Sequence, residues 1–429
     1  MAKNSRFAAV SGLLRAAPHE LPALGWSFAY FFCLLCGYYV LRPIRDEMAV
    51  QAGTGRLPWL FTATFVAMLV LAPAFGWLCA RLPRARLLPA AYAFFILNLI
   101  AFRAALDAGV TARQLAPVFF VWLSVFNLFV VSVFWSFMSD IFDAGQAARL
   151  YGTIAAGGSL GAIAGPSLTA LAARALGIGN LLLVSAAFLA GAILCIAMLG
   201  RWARRYPRAG EPPPEQAIGG SPLAGAREAF ASPYLLAVSV YLLCYTSLST
   251  ALYFQQVEIV PAALADSAER TRLFAAVDLT VNALTLVVQL AVFARLNARL
   301  GIAWMLALMP LVSIAGFAWL GTLPTLVALV VFGVTRRVGE FAVSKPSREV
   351  LFTVVPREAR YKAKNFIDTV VYRGGDSLSA WLVGAVRGAG ASLAAIAWGA
   401  VPVAAAWLAV GWWLGRRHET MRGKSAPND

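Results

Sequence analysis

Residues Leu115 to Phe142 read LAPVFFVWLSVFNLFVVSVFWSFMSDIF, 28 positions with one charged side chain, Asp140, near the end. A helix rises about 1.5 Å per residue, so the stretch is longer than the ~30 Å of bilayer hydrocarbon. Helix is the economical reading, because an open strand edge finds no hydrogen-bond partner in lipid. Comparable stretches recur along the whole chain. They run Leu21–Leu41, Leu57–Ala80, Leu87–Leu106, Leu115–Phe142, Ala147–Leu176 and Asn180–Trp202. After a break come Pro233–Val260, Leu273–Leu296, Ile302–Leu320, Leu323–Val343, Ala363–Val386 and Ser392–Gly415. The expectation is an all-α polytopic membrane protein with twelve transmembrane helices.

Composition agrees. Of 429 residues, 60% are hydrophobic and 13% charged, against about a quarter charged in a soluble domain. Two histidines, His19 and His418, lie near the chain ends, so neither an imidazole metal site nor a Ser-His-Asp triad is expected in the body of the fold. The five cysteines sit in apolar runs, and Cys33 and Cys36, although a CxxC, read as small packing residues. No cofactor, metal or catalytic residue is expected, and the chain reads as no enzyme. Met1 to Glu20 lacks the compact apolar core of a cleaved signal, so the first span is expected to act as its own insertion signal.

The net charge of +16 would suit nucleic acid on a soluble protein, but its placement points to topology. With both termini cytoplasmic, the inner segments hold 23 Lys and Arg against nine outside, as the positive-inside rule requires. No nucleic-acid partner is expected. The partners are a lipid bilayer, here an inner membrane, and a small solute, with the chain acting as a monomer.

Between Trp202 and Phe230 the sequence turns to Pro, Gly and charge, a linker composition. It separates residues 21–203 from 232–415, two expected six-helix bundles, with cytoplasmic segments at 1–20, 204–231 and 416–429. Ala80-Arg81-Leu82 recurs as Ala294-Arg295-Leu296, and Gly157-Gly158 as Gly374-Gly375, each about half a chain later. Two pseudo-symmetric halves of this kind resemble the major facilitator architecture, which implies a solute site near the midplane between them. Gly157, Gly161 and Gly165 form successive GxxxG steps, read as a helix-packing seam.

A charge at the bilayer centre costs at least ~2.5–3.5 kcal/mol, which makes intramembrane ionisable residues functional candidates. In the eleventh span Lys364, Asn365, Asp368, Thr369, Tyr372, Arg373 and Asp376 share about half the helix circumference, opposite Phe366, Ile367, Val370 and Val371. A salt-bridge ladder built on Lys364–Asp368 is the structural alternative. The tenth span carries Arg336, Arg337 and Glu340 on one face, with Lys345 and Arg348 beyond. In the eighth, Asp278, Asn282, Thr285 and Gln289 form a polar stripe, and Asp278 is the expected partner of Arg373. The fourth span adds Asn127, Trp135, Ser139 and Asp140. The seventh adds Tyr245, Ser249, Tyr253 and Gln256.

Gly37-Tyr-Tyr-Val-Leu-Arg42-Pro-Ile-Arg45-Asp46-Glu47, Phe134-Trp-Ser-Phe-Met-Ser-Asp140 and Tyr361-Lys362-Ala-Lys364-Asn-Phe-Ile-Asp368 together resemble the ATP/ADP translocase (nucleotide transporter) family. The resemblance implies nucleotide exchange, with basic residues on the phosphates. Arg45 stands at the family's functional lysine after the first span, and Lys362 and Lys364 match its basic run at the eleventh. The family's fourth-span glutamate has no counterpart in Trp122 to Asn127.

The expected function is alternating-access transport of a nucleotide-like or other anionic solute. Arg45, Arg336, Arg337, Tyr372 and Arg373 would bind it, and Asp46, Asp140, Asp278, Glu340, Lys362, Lys364, Asp368 and Asp376 would couple or gate. A proton-coupled carrier of another organic solute is the alternative. A membrane-embedded lipid-processing enzyme or a non-transporting accessory protein is the rival from another class. An alkaline-phosphatase reporter fused after Gly219 is expected to be inactive, because the linker should face the cytoplasm. High activity there would contradict the topology.

Overall fold

The computed structural model describes residues 16–81, 84–206, 227, 230, 232–291, 293–356, 363, 364 and 366–425. Among these the secondary structure is helical throughout. In chain order the helices are α1 (Leu21–Ala52), α2 (Leu57–Arg81), α3 (Arg84–Asp107), α4 (Ala112–Ile141) and α5 (Ala144–Arg205). They continue with α6 (Pro233–Ala263), α7 (Ser267–Ala291), α8 (Phe293–Thr322), α9 (Leu326–Gly339), α10 (Lys345–Leu351), α11 (Tyr372–Gly388) and α12 (Leu393–Ser425). Nine helical stretches among the described residues are long and apolar enough to cross a membrane. Two helices bend at glycines in the left-handed region, α5 at Gly177 (φ 69°) and α8 at Gly301 (φ 73°), a conformation that costs a residue with Cβ far more. The 62-residue α5 is therefore two rods meeting at Gly177.

The helix starts carry their own signals. Asp143 accepts from the Gln146 amide to cap α5, Ser232 caps α6 ahead of Pro233, and Thr325 caps α9. Proline interrupts several helix interiors, among them Pro43 in α1 and Pro310 in α8. Membrane helices accept this where neighbours re-satisfy the freed carbonyls. Large apolar side chains stand exposed on many helices, Leu171 at 83% and Leu290 at 80% being extreme. Such surface suits hydrocarbon rather than water.

The chain divides into two compact units. The first comprises residues 1–48, 70–215 and 266–279, and the second 49–69, 216–265 and 280–429. Each unit thus takes one short segment from the other side of the linker.

In the first unit α5 packs on α1 along the glycine seam. A Cβ on Gly157 would collide with the Phe28 carbonyl, one on Gly161 with the Phe32 carbonyl, and one on Gly165 would lie 2.6 Å from the Cys36 carbonyl. Backbone meets backbone here, with no flexible side chain to give way. The related Gly375 in the second unit packs α11 on α6, where a Cβ would come within 2.5 Å of Thr246 Oγ1. Ahead of α1, buried Glu20 takes both guanidinium nitrogens of Arg149, at 3.1 and 3.0 Å, and the Gln146 side chain. Burial alone would raise this carboxyl, but these bonds and the Ala17 amide outweigh it and hold it at about 2.

Gly161→Val is expected to lower stability by about 1–3 kcal/mol through this backbone clash. Gly152→Ala, on the same helix with open space at its Cβ, should be neutral or slightly stabilising. Thermal unfolding of the purified chain in detergent measures both.

Candidate functional site

The second unit gathers a polar cluster from α6, α9 and the segments that follow it. Two π-helical turns interrupt the ordinary helical spacing, Glu340–Ser344 between α9 and α10 and Ile367–Val371 leading into α11. Such turns are uncommon and recur at functional sites, because one extra residue per turn re-aims the side chains around it. Glu340 opens the first and Asp368 lies in the second.

Arg336, in the last turn of α9, is 4% exposed. Its Nη2 donates to the Tyr245 carbonyl at 3.1 Å and to Ser249 Oγ at 2.6 Å, and its guanidinium carbon lies 4.9 Å from the centre of the Tyr245 ring. Its Nε has no hydrogen-bond partner among the described residues. No carboxylate among the described residues forms a salt bridge with it. One turn on, Glu340 is 5% exposed, and its Oε2 also lacks a hydrogen-bond partner among the described residues. Arg348 stands 3.9 Å from Glu340, and the same guanidinium stands 3.9 Å from Asp368. Both separations exceed a hydrogen bond. Around the cluster, Tyr372 lies 6.1 Å from Tyr245 ring to ring, tilted by 43°. Arg373 stacks over Tyr372 at 5.3 Å and approaches Asp376 at 3.7 Å. Asp376 is buried.

Here lie Arg336, Glu340, Asp368, Tyr372, Arg373 and Asp376, all sequence candidates, together with Tyr245 and Ser249. Arg337 follows Arg336 and is half-buried. The remaining candidates go elsewhere. Asp278 does not pair with Arg373: in the first unit it accepts from Arg42 Nη1 at 2.9 Å, while Arg373 turns to Asp376 on its own helix. Arg45 donates through Nε and Nη2 to Asp46, at 3.1 and 2.8 Å, and lies 5.2 Å from the Phe120 ring. Lys364 bonds Glu349 at 2.5 Å, so the structural alternative, a Lys364–Asp368 ladder, is not formed among the described residues. Asp140 is exposed near the end of α4. Lys362 lies outside the described residues.

Sequence reasoning missed the most buried ion pair of the first unit. Glu47, fully buried near the end of α1, accepts from Arg270 Nε and Nη2 at 2.8 Å each and from Ser267 Oγ at 2.7 Å. The signal was present as Arg-Asp-Glu closing an apolar span, but it reads equally as the start of a loop. Arg348 was noted only as lying beyond the tenth span, yet it stands between two candidate carboxylates.

Apolar helices long enough to cross lipid, with charge buried among them in both units, mark a multi-pass membrane protein. The sequence model of the Major Facilitator Superfamily matches residues 27–375, and the chain belongs to that superfamily. No curated protein matches the chain in sequence. Among solved structures it is similar to a bacterial homologue of the human lysosomal transporter Spinster, described as inward-facing and unoccupied, at 14% identity and TM-score 0.62 over 96% of this chain and 100% of that one. A point mutant of the nucleoside transporter NupG aligns at 14% identity and TM-score 0.62, covering 93% and 99%. An autoinhibited peptide transporter of the POT family aligns at 16% and 0.61, covering 95% and 98%. Identities this low establish a shared fold. Membership of the superfamily makes the protein a transporter rather than an enzyme.

Separating Glu47 from Arg270 leaves a buried charge unmatched. Glu47→Gln or Arg270→Gln alone is expected to cost about 3–5 kcal/mol, and the double variant less than the sum. Unfolding of the three purified variants in detergent gives the coupling.

Proposed function

We propose that this transporter carries a small anionic solute across the inner membrane by alternating access, with the solute's negative group seated on Arg336. The observation that carries the reading is a guanidinium 4% exposed, fixed by Tyr245 and Ser249, with no salt-bridged carboxylate among the described residues. A buried charge of this kind calls for a counter-ion, and a solute anion supplies one. The planar fork of arginine offers two parallel donors to a phosphate or carboxylate. Tyr245 and Tyr372 present aromatic faces beside it, and a planar ring on the solute would stack there. A nucleotide-like solute, exchanged as the three sequence patches imply, is the specific form of this reading. Arg337 and Arg373 add positive potential around the seat, while Arg45 belongs to the first unit. Twelve crossings, cytoplasmic termini, a linker over 204–231 and a monomeric carrier complete the proposal.

Proton coupling is a second reading, favoured by Glu340, whose Oε2 is buried without a hydrogen-bond partner. A carboxyl that carries a proton can donate as well as accept, so this oxygen is a place for a transported proton to sit. The two readings combine if anion and proton move together.

Arg336→Gln should weaken the apparent affinity for transported anions by roughly ten- to a hundredfold, the equivalent of about 1.5–3 kcal/mol for a lost charge-assisted bond. Arg336→Lys should retain part of the affinity. Uptake into proteoliposomes from a panel of labelled nucleotides and organic anions measures both. Unchanged affinity in Arg336→Gln would contradict the seat, and uptake indifferent to an imposed pH gradient would remove the proton.

A further inference from the structure

The second unit holds an apolar cavity of about 360 Å³ between α6, α11 and α12, lined by none of the residues of the arginine cluster. Its two hydroxyls, Ser247 and Ser379, bond to each other at 2.8 Å, and Ser247 Oγ donates on to the Leu243 carbonyl at 2.8 Å. Both hydroxyl protons are thereby used, and the cavity offers no donor to a polar solute. Small residues make the space. Ala395 and Gly399 share one face of α12, and a Cβ on Gly399 would meet nothing within 4 Å. On the α11 side Leu382 and Val386 line the cavity and are 60% and 50% exposed, continuing the outward stripe begun by Leu378 at 54%. The cavity is thus a groove open toward the surface that faces hydrocarbon.

Its extent and its end identify the occupant. From Ala395 to Val403 the lining follows α12 for about 12 Å, close to the ~15 Å depth of one leaflet's hydrocarbon. It starts at the turn joining α11 to α12, where a chain crossing lipid meets the headgroups. There Arg387 donates Nε and Nη2 to Glu258, at 2.8 and 2.6 Å, and Nη1 to the Ala391 carbonyl at 2.6 Å. A guanidinium has five N–H donors, so two remain on a side chain 35% exposed.

We propose that this groove is a phospholipid site, with one acyl chain lying along α12 from Ala395 to Val403 and the headgroup phosphate on the remaining Arg387 donors. The acyl chain enters the groove from hydrocarbon and not from water, so what holds it is van der Waals contact, and the small residues of α12 let the chain lie deeper than on an ordinary helix face. None of the residues that line it belongs to the proposed solute seat.

The test uses the full chain in phosphatidylcholine vesicles doped with a phosphatidylcholine bearing a diazirine at the end of one acyl chain. After irradiation, adducts are mapped by mass spectrometry. Labelling is expected to concentrate on the peptides containing Ser247, Ser379 and Val403, above that of the lipid-exposed segments around Leu171 and Leu290. Gly399→Leu and Ala395→Leu, which fill the groove, should lower groove labelling severalfold and leave the other segments unchanged. If Gly399→Leu does not purify as a monodisperse protein, Ala395→Leu decides alone. Arg387→Gln should reduce labelling as well. Groove labelling no stronger than that of exposed helix faces, or unmoved by the filling variants, overturns the site. Loss on filling without any effect of Arg387→Gln overturns the headgroup contact.

Discussion

Charge within hydrocarbon must be neutralised, and the arginines and acids of this chain meet that constraint in two ways. In the first unit they close on each other. Arg42 holds Asp278 through one carboxylate oxygen and Arg270 holds Glu47 through both, with normal hydrogen-bond lengths. In the second unit the groups are close but loosely matched: Arg348 stands 3.9 Å from two carboxylates, Glu340 keeps an unpartnered oxygen, and Arg336 leans on a carbonyl, a hydroxyl and a ring. A buried network left part-satisfied is costly. Persistence of that cost at one place in a transporter is the physical argument for a solute that completes it.

Backbone geometry makes this arrangement possible. Glycine contacts bring α5 onto α1, and α11 onto α6, nearer than side chains would permit. With Gly375 against Thr246, the start of α11 is held where Tyr372 can face Tyr245. The π turns at Glu340–Ser344 and Ile367–Val371 then set the directions of the charged side chains. Close packing fixes the frame, and irregular helix fixes the site within it.

The membrane class, the helical runs and the glycine seam were legible in the sequence, because each follows from apolar length or from a spacing of four. The candidate residues of the cluster were legible by type, since a charge inside an apolar run has few ordinary explanations. Their partners were not. The Lys364–Asp368 pair assumed 3.6 residues per turn, and the π turn beginning at Ile367 breaks that register while Glu349 offers Lys364 a nearer carboxylate. Asp278 meets Arg42 across 236 positions of sequence, a pairing that no local spacing encodes. The groove on α12 was invisible for a related reason: no spacing in the sequence marks Ala395 and Gly399, and only the fold shows the space beside them.

The most direct test of the central claim is ligand-induced stabilisation of the purified wild-type chain by solutes of matched size that differ in charge. A ligand that binds the folded state raises the unfolding temperature, by an amount that grows with the logarithm of its concentration above Kd. The account predicts a concentration-dependent rise with anionic members of the set, weakened by added salt, and none with their neutral or cationic counterparts. Equal stabilisation by the neutral members would contradict an anion seat at Arg336.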